Sequence, residues 1–192
     1  MIPASTHDGL LPPFVGLATA TNNRSPYATS VPELITRFGT THRRRELLAG
    51  FLAYRKRLRA FGLADGIQWI NGSFVEDSES SRGRPPSDID VVTFASLGKA
   101  RSTHEQVVQA FRANADLFNN LSVKAAHGCD AYVVDTALST ERLIASTGYW
   151  ANLFGHQRDT CRWKGIVMVK LVDDHGAMDM LEVRDDSLLG SS

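Results

Sequence analysis

Asp88 and Asp90 lie two residues apart in Asp88-Ile89-Asp90-Val91-Val92. On a strand, residues i and i+2 leave the same face, so the two carboxylates project together from α-carbons about 6.6 Å apart, at about 3.3 Å per residue. Two ionised carboxylates so placed repel each other, and a divalent cation between them removes the repulsion. Mg²⁺ suits them: it takes one or two carboxylates and fills its octahedron with phosphate and water. Two such ions roughly 3.5–4 Å apart stabilise both the attacking and the leaving oxygen of an in-line phosphoryl displacement.

The complementary part lies upstream in Trp69-Ile70-Asn71-Gly72-Ser73-Phe74. Gly72 lets the backbone approach a phosphate closely, and the N–H groups there, with the Ser73 hydroxyl, are donors for its oxygens. Arg82 and Arg84, in the loop just before Asp88, either clamp a triphosphate or its pyrophosphate leaving group, as guanidinium does well, or are solvated charges of a mobile loop.

These groups need a scaffold. Residues 1–30, rich in Pro, Thr, Asn and Ser, read as an extended segment on the domain surface. Ser30-Val31-Pro32-Glu33 opens a helix that Gly39 stops, and a longer helix runs from about Thr41 to Phe61, closed by Gly62. Its apolar residues Leu47, Leu48, Phe51, Leu52, Tyr54, Leu58 and Phe61 recur at helical spacing. Strands are expected at Ile67–Ile70, Asp88–Phe94, Leu121–Ala126, Asp130–Val134 and Ile166–Val172, with a loop over Phe74–Ser87. A capping box at Ser102-Thr103-His104-Glu105 starts a helix through Phe118, and Ser139 caps another that ends at Gly155. The order is that of a mixed α+β chain around one central sheet, and a single domain over residues 1–192 is the economical reading, with an acidic tail from Asp173 to Ser192.

The 192 residues carry 21 Lys+Arg against 21 Asp+Glu, which excludes an overall basic nucleic-acid coat but not a local patch. An apolar share of 43% argues against global disorder. Two cysteines, Cys129 and Cys161, fit thiols of a reducing compartment. Leu10–Ala20 lacks a basic region in front and is broken by Pro12-Pro13, so it does not read as an export signal, and no apolar run is long enough to span a bilayer. A cytoplasmic protein without membrane contact is the expectation.

Strand, Gly72-Ser73, loop, Asp88-x-Asp90 and strand together resemble the signature of the DNA-polymerase-β-like nucleotidyltransferase superfamily. Within it, the chain is most similar to the small single-domain bacterial branch often found beside toxin–antitoxin or phage-defence genes. The resemblance spans about Ile67 to Val134, and more weakly the arginine-rich helix and the segments Phe154–Asp159 and Trp163–Ile166. It implies that Gly72 and Ser73 hold a nucleoside triphosphate such as ATP, that Asp88 and Asp90 ligate Mg²⁺, and that a third carboxylate stands on a later strand. Asp130 fits that role, with Asp135 as its rival. The loop between Ser73 and Asp88 is longer than in the smallest members. The implied enzyme moves a nucleoside monophosphate to a hydroxyl of a protein, an RNA or a small molecule. The alternative is a binding module that keeps the fold, has lost the chemistry, and acts by occluding a partner protein.

Other features have plainer readings beside the functional one. Arg43, Arg44, Arg45, Arg55, Lys56, Arg57 and Arg59 form a basic helix, either a face for RNA or phosphate or, in the favoured reading, a solvated face opposing the acidic tail. Arg158 and Lys164 either reach the nucleotide or belong to a surface turn after the Gly155 helix end. Trp69, Tyr132, Trp150 and Phe154 read as core, although Tyr132 shares a strand face with Asp130. His104 and His127 lack the spacing of zinc ligands.

Overall fold

The computed structural model describes residues 1–63, 65–97, 103–171, 174 and 176–181. Two helices lead into the sheet. In α1 (Val31–Phe38) the Ser30 hydroxyl accepts from the Glu33 N–H, and the Gly39 N–H donates to Ile35 O. The Glu33 carboxylate does not return to the cap; it accepts from the Thr29 hydroxyl at 2.6 Å and from the Ile2 N–H at 2.7 Å, fastening the amino-terminal segment to the helix. Helix α2 (His42–Phe61) is capped by Thr41 and closed by Gly62 in the left-handed region. All seven of its expected apolar residues are buried, the leucines and phenylalanines each worth about 1.5–3 kcal/mol relative to exposure.

The strands are β1 (Tyr27–Thr29), β2 (Gly66–Asn71), β3 (Ile89–Ala95), β4 (Cys129–Asp135) and β5 (Val167–Lys170). They form one mixed sheet in the order β1-β5-β2-β3-β4, parallel at β1/β5 and β3/β4 and antiparallel at β5/β2 and β2/β3. Helices α3 (Ser78–Arg82), α4 (His104–Ala113), α5 (Ala115–Phe118), α6 (Asn120–His127) and α7 (Thr140–Phe154) complete the layers. One face of the sheet sends Ile70, Ile89, Val91, Cys129 and Val169 into a core with α1 and α2. The other sends Trp69, Val92, Phe94 and Val134 against Trp150 and Phe154 of α7. The expected α+β class with a central mixed sheet flanked by helices is what forms.

Several local expectations are corrected. Leu121–Ala126 is not a strand but part of α6: Asn119 caps it by accepting from the Ser122 N–H at 3.0 Å, and Gly128 ends it in the left-handed region. Those two end signals outweigh a stretch whose only β-branched residue is Val123. The loop after Ser73 is ordered into a 3₁₀ turn (Ser73–Val75) and α3. β1 lies within the expected loop segment, three residues being too short to show a period. The capping box of α4 pairs Thr103 with Gln106, one residue past the expected start; Ser102 lies outside the described residues. Val172 of the last expected strand, and Asp173, His175 and residues 182–192 of the tail, likewise lie outside them, while 177–181 is helical and buries Ala177 and Leu181.

The basic helix α2 is only partly a solvated face: Arg43 and Lys56 are exposed. Arg44, Arg45 and Arg55 are buried. Arg44 donates to Phe74 O, Glu76 O and both Glu79 carboxylate oxygens at 2.6–2.8 Å, clamping the turn after Ser73 onto α2. Arg55 is held by Asp174, Gln68 and Lys170 O. The acidic tail does oppose the helix at Asp174, which also takes Arg59 at 2.8 Å. Gly50, in mid-helix, brings α2 against α6, since a methyl group there would overlap the His127 carbonyl.

Candidate active site

The cavity lies on the α7 side of the sheet, where β2 ends, β3 begins and α7 stops. In the ladders Asn71 of β2 pairs with Asp90 of β3, and Asp90 with Asp130 of β4. Three neighbouring strands therefore set Asn71, Asp90 and Asp130 in one row. Asp88 stands two residues before Asp90, while Ile89 and Val91 between and after them are fully buried on the opposite face. All three aspartates line a cavity of about 350 Å³, with Gly72, Ser73, Glu76, Arg82 and Arg84.

Gly72 explains itself here. Its φ of 76° and ψ of −166° belong to a region that is essentially glycine-only. A methyl group on it would also overlap the Asp90 carboxylate. The turn thus lies directly against Asp90, and no other residue permits that approach. The Gly72 N–H already donates to Asn71 Oδ1 at 2.8 Å, so the expected donor role there is occupied, and the Asn71 amide in turn donates to Gly165 O at 3.0 Å.

Behind the turn lies a buried ion cluster. Lys164 donates to Gly72 O at 3.2 Å and to Glu76 Oε1 at 2.7 Å. Glu76 also accepts from Arg82 at 2.8 Å and from the Gln157 amide at 3.1 Å. Burial lowers the proton affinity of Lys164, an effect that Glu76 opposes. Glu76 falls in the stretch expected as a loop, and only the fold brings it to Lys164, 88 residues away.

The aspartates are less completely matched. Lys124 of α6 forms an ion pair with Asp88, which also accepts from the Ser87 hydroxyl. Asp90 faces Arg158 at 3.8 Å, and Asp130 meets the Asn120 amide at 3.5 Å. Burial first, then the charges of Asp88 and Asp130, push Asp90 up to about 6. Among the described residues, no three His, Cys, Asp or Glu side chains are already gathered to hold a metal ion. The donor chemistry nevertheless suits a hard cation, because the oxygens are carboxylate oxygens and their mutual repulsion is what such a cation relieves.

Every expected site residue lines the one cavity: Asp88, Asp90, Asp130, Gly72, Ser73, Arg82 and Arg84. Asp135 does not. It sits at the far end of β4 and accepts from the Leu97 and Ala137 N–H groups, closing a turn. Arg158 and Lys164 join the cavity, although the plainer reading had placed them in a surface turn. Lys124 falls in the stretch expected as a strand, and as part of α6 it reaches Asp88. Trp69, Trp150 and Phe154 are core, whereas Tyr132 is partly exposed, stacks on Trp150, and accepts from the same Asn120 amide that reaches Asp130. Cys129 and Cys161 are unpaired thiols, and among the described residues no helix is long and apolar enough to cross a membrane.

Fold and cavity define a mixed α+β protein with charged groups of both signs at one end of its sheet. The chain belongs to a family of unknown function, DUF6932, whose profile matches residues 3–170 and so takes in the whole cavity. Comparison with curated proteins and with solved structures found no match.

Proposed function

We propose that the protein is a Mg²⁺-dependent nucleotidyltransferase that moves a nucleoside monophosphate from a nucleoside triphosphate to a hydroxyl of a partner protein, an RNA or a small molecule. The observation that carries this reading is the row of Asp90 and Asp130 with Asp88 beside it, packed against the Gly72 turn. Charge supports it as well. The cavity lining holds the carboxylates Glu76, Asp88, Asp90, Asp130 and Asp159 against Arg82, Arg84, Lys124, Arg158 and Lys164, five of each sign. A lining with no net charge does not hold a triphosphate alone, and added cations supply what is lacking.

Asp88, Asp90 and Asp130 would hold the Mg²⁺, which when bound supplies positive charge against the triphosphate. Ser73 and the Gly72 turn position the phosphates, and Arg82 and Arg84 face the pyrophosphate end. The acceptor oxygen bonds to the α-phosphorus, the bond from that phosphorus to pyrophosphate breaks, and the acceptor proton leaves to a cavity carboxylate. Catalysis is positioning and charge neutralisation.

One observation favours a second reading, a catalytically silent binding module: Lys124 and Arg158 already supply counter-charge to Asp88 and Asp90. The test is incubation with each α-labelled nucleoside triphosphate, Mg²⁺ and candidate acceptors. Transfer by the wild type and its loss in Asp88→Asn support the enzyme. Equal labelling in the variant, or none in either together with no thermal shift on adding Mg²⁺ and nucleotide, overturns it in favour of the module.

A further inference from the structure

We infer that the exposed indole of Trp163, backed by the imidazole of His156, is the stacking platform for the base of the nucleotide whose phosphates lie in the aspartate cavity. The inference rests on the proposed nucleotidyl transfer and names the part of the substrate that the aspartates cannot recognise.

Trp163 is 68% exposed, while Trp69 and Trp150 are each 8% exposed. Beside a polar cavity, the exposed Trp163 offers an open π-face to a planar ligand. Its ring lies 4.5 Å from that of His156, and the two residues form an antiparallel bridge. The His156 ring is itself fixed, with Nδ1 3.0 Å from Asn152 O. His156 lines the aspartate cavity, so the two rings, tilted 47° to each other, stand at its rim.

The loop that carries the pair is tied to the phosphate turn. The Gln157 N–H donates to Arg162 O and the Lys164 N–H to Gly155 O, both at 2.8 Å, closing a small hairpin. The Gln157 and Lys164 side chains both end on Glu76, and Lys164 also reaches Gly72 O. Platform and turn are thus joined through buried polar contacts, so little freedom remains to be lost on binding.

Trp163 also lines an apolar cavity of about 530 Å³ with Pro13, Phe14, Pro26, Trp69 and Ile166. That size is ordinary for a small-molecule pocket. The apolar and the charged cavity meet at Lys164, which lines both. A planar, weakly polar group attached to a polyanion fits such a pair, and a nucleotide has that composition. Stacking accepts any base, because each has a π-face.

The test compares Mg²⁺ complexes of ATP, GTP, CTP and UTP with Mg²⁺–tripolyphosphate, which lacks base and sugar, by calorimetry. In the wild type at least one nucleotide is expected to bind about tenfold or more tightly than tripolyphosphate. Trp163→Ala brings that ratio to within about twofold of one, leaving tripolyphosphate binding unchanged, while Trp163→Phe keeps most of it. If tripolyphosphate binds and Trp163→Ala leaves the ratio as it was, the platform is wrong and the phosphate site stands. If neither nucleotide nor tripolyphosphate binds the wild type, transfer and platform fall together.

Discussion

Charge is buried in two regions of this molecule, on helix α2 and in the aspartate cavity, and the two treat it differently. Arg55 is completely buried, and its guanidinium meets both carboxylate oxygens of Asp174 at 2.6 and 2.7 Å, Gln68 Oε1 at 2.5 Å and Lys170 O at 2.8 Å. Asp90 instead shares its surroundings with two other carboxylates, and the cations acting on it are Arg158, whose side chain is 73% exposed, and Lys164, which Glu76 already holds. Where burial holds the fold together, the chain supplies every partner itself. In the cavity, like charges are gathered and left incompletely answered. That is a poor way to stabilise a fold and a good way to bind an incoming cation.

The contrast is broken most forcefully at Arg55. Arg55→Met keeps the volume but leaves Asp174, whose side chain is 6% exposed, without its bidentate partner. A loss of about 3–5 kcal/mol is expected, read as a lower urea midpoint. A loss below about 1 kcal/mol would mean that the completed network contributes nothing special.

Asp90 tests the other side, with opposite sign. The folded protein keeps the Asp90 proton up to about pH 6, whereas a free aspartate loses it near 3.8. The stability from this group is therefore present below pH 4 and is lost as pH rises to about 6. The two-unit shift corresponds to at most about 3 kcal/mol. Asp90→Asn should match the wild type at pH 3.5 and be more stable than it above pH 7 in a metal-free buffer. A variant that is less stable at both pH values would place Asp90 with the structural charges of α2.

Gly72 is where the cavity imposes its needs on the backbone. Gly72→Ala places an L-residue in a glycine-only conformation and pushes on the Asp90 carboxylate. About 1–3 kcal/mol of stability should be lost, and Mg²⁺–nucleotide binding with it. Unchanged binding would show that the turn and the aspartates act separately.

Much of this was legible in the sequence, and what escaped has a common cause. Caps at Ser30, Gly39 and Gly62, the helix start near Thr41, and the strands around Ile67 and Asp88 are local signals, and they hold. Asp88 and Asp90 are legible because strand alternation puts both on one face; Gly72 is legible as the glycine that ends the preceding strand, and Asp130 only through the resemblance. The buried roles of Arg55 and Lys164 depend on partners 119 and 88 residues away, at Asp174 and Glu76. No periodicity encodes such pairs, and a run of arginines on a helix looks the same whether it faces water or an ion network. Helix α6 reads as a strand because Leu121, Val123 and Ala125 alternate with polar or small residues, and the short segment shows no helical period.

The smallest effect is expected one residue from a buried one. Arg43 lies beside Arg44 on α2, yet its side chain is 45% exposed and pairs with Glu46, 49% exposed, at 3.2 Å. His42 approaches the same carboxylate at 3.4 Å. Water screens both pairs, and long side chains lose rotamer freedom in making them. Glu46→Gln should thus change stability by less than about 0.5 kcal/mol, and the change should vanish in 1 M NaCl. Arg44, with carbonyls of Phe74 and Glu76 fixed around it, has no solvent to substitute for them. If Glu46→Gln cost as much as Arg55→Met, proximity in sequence and not burial would govern the worth of charge on this helix.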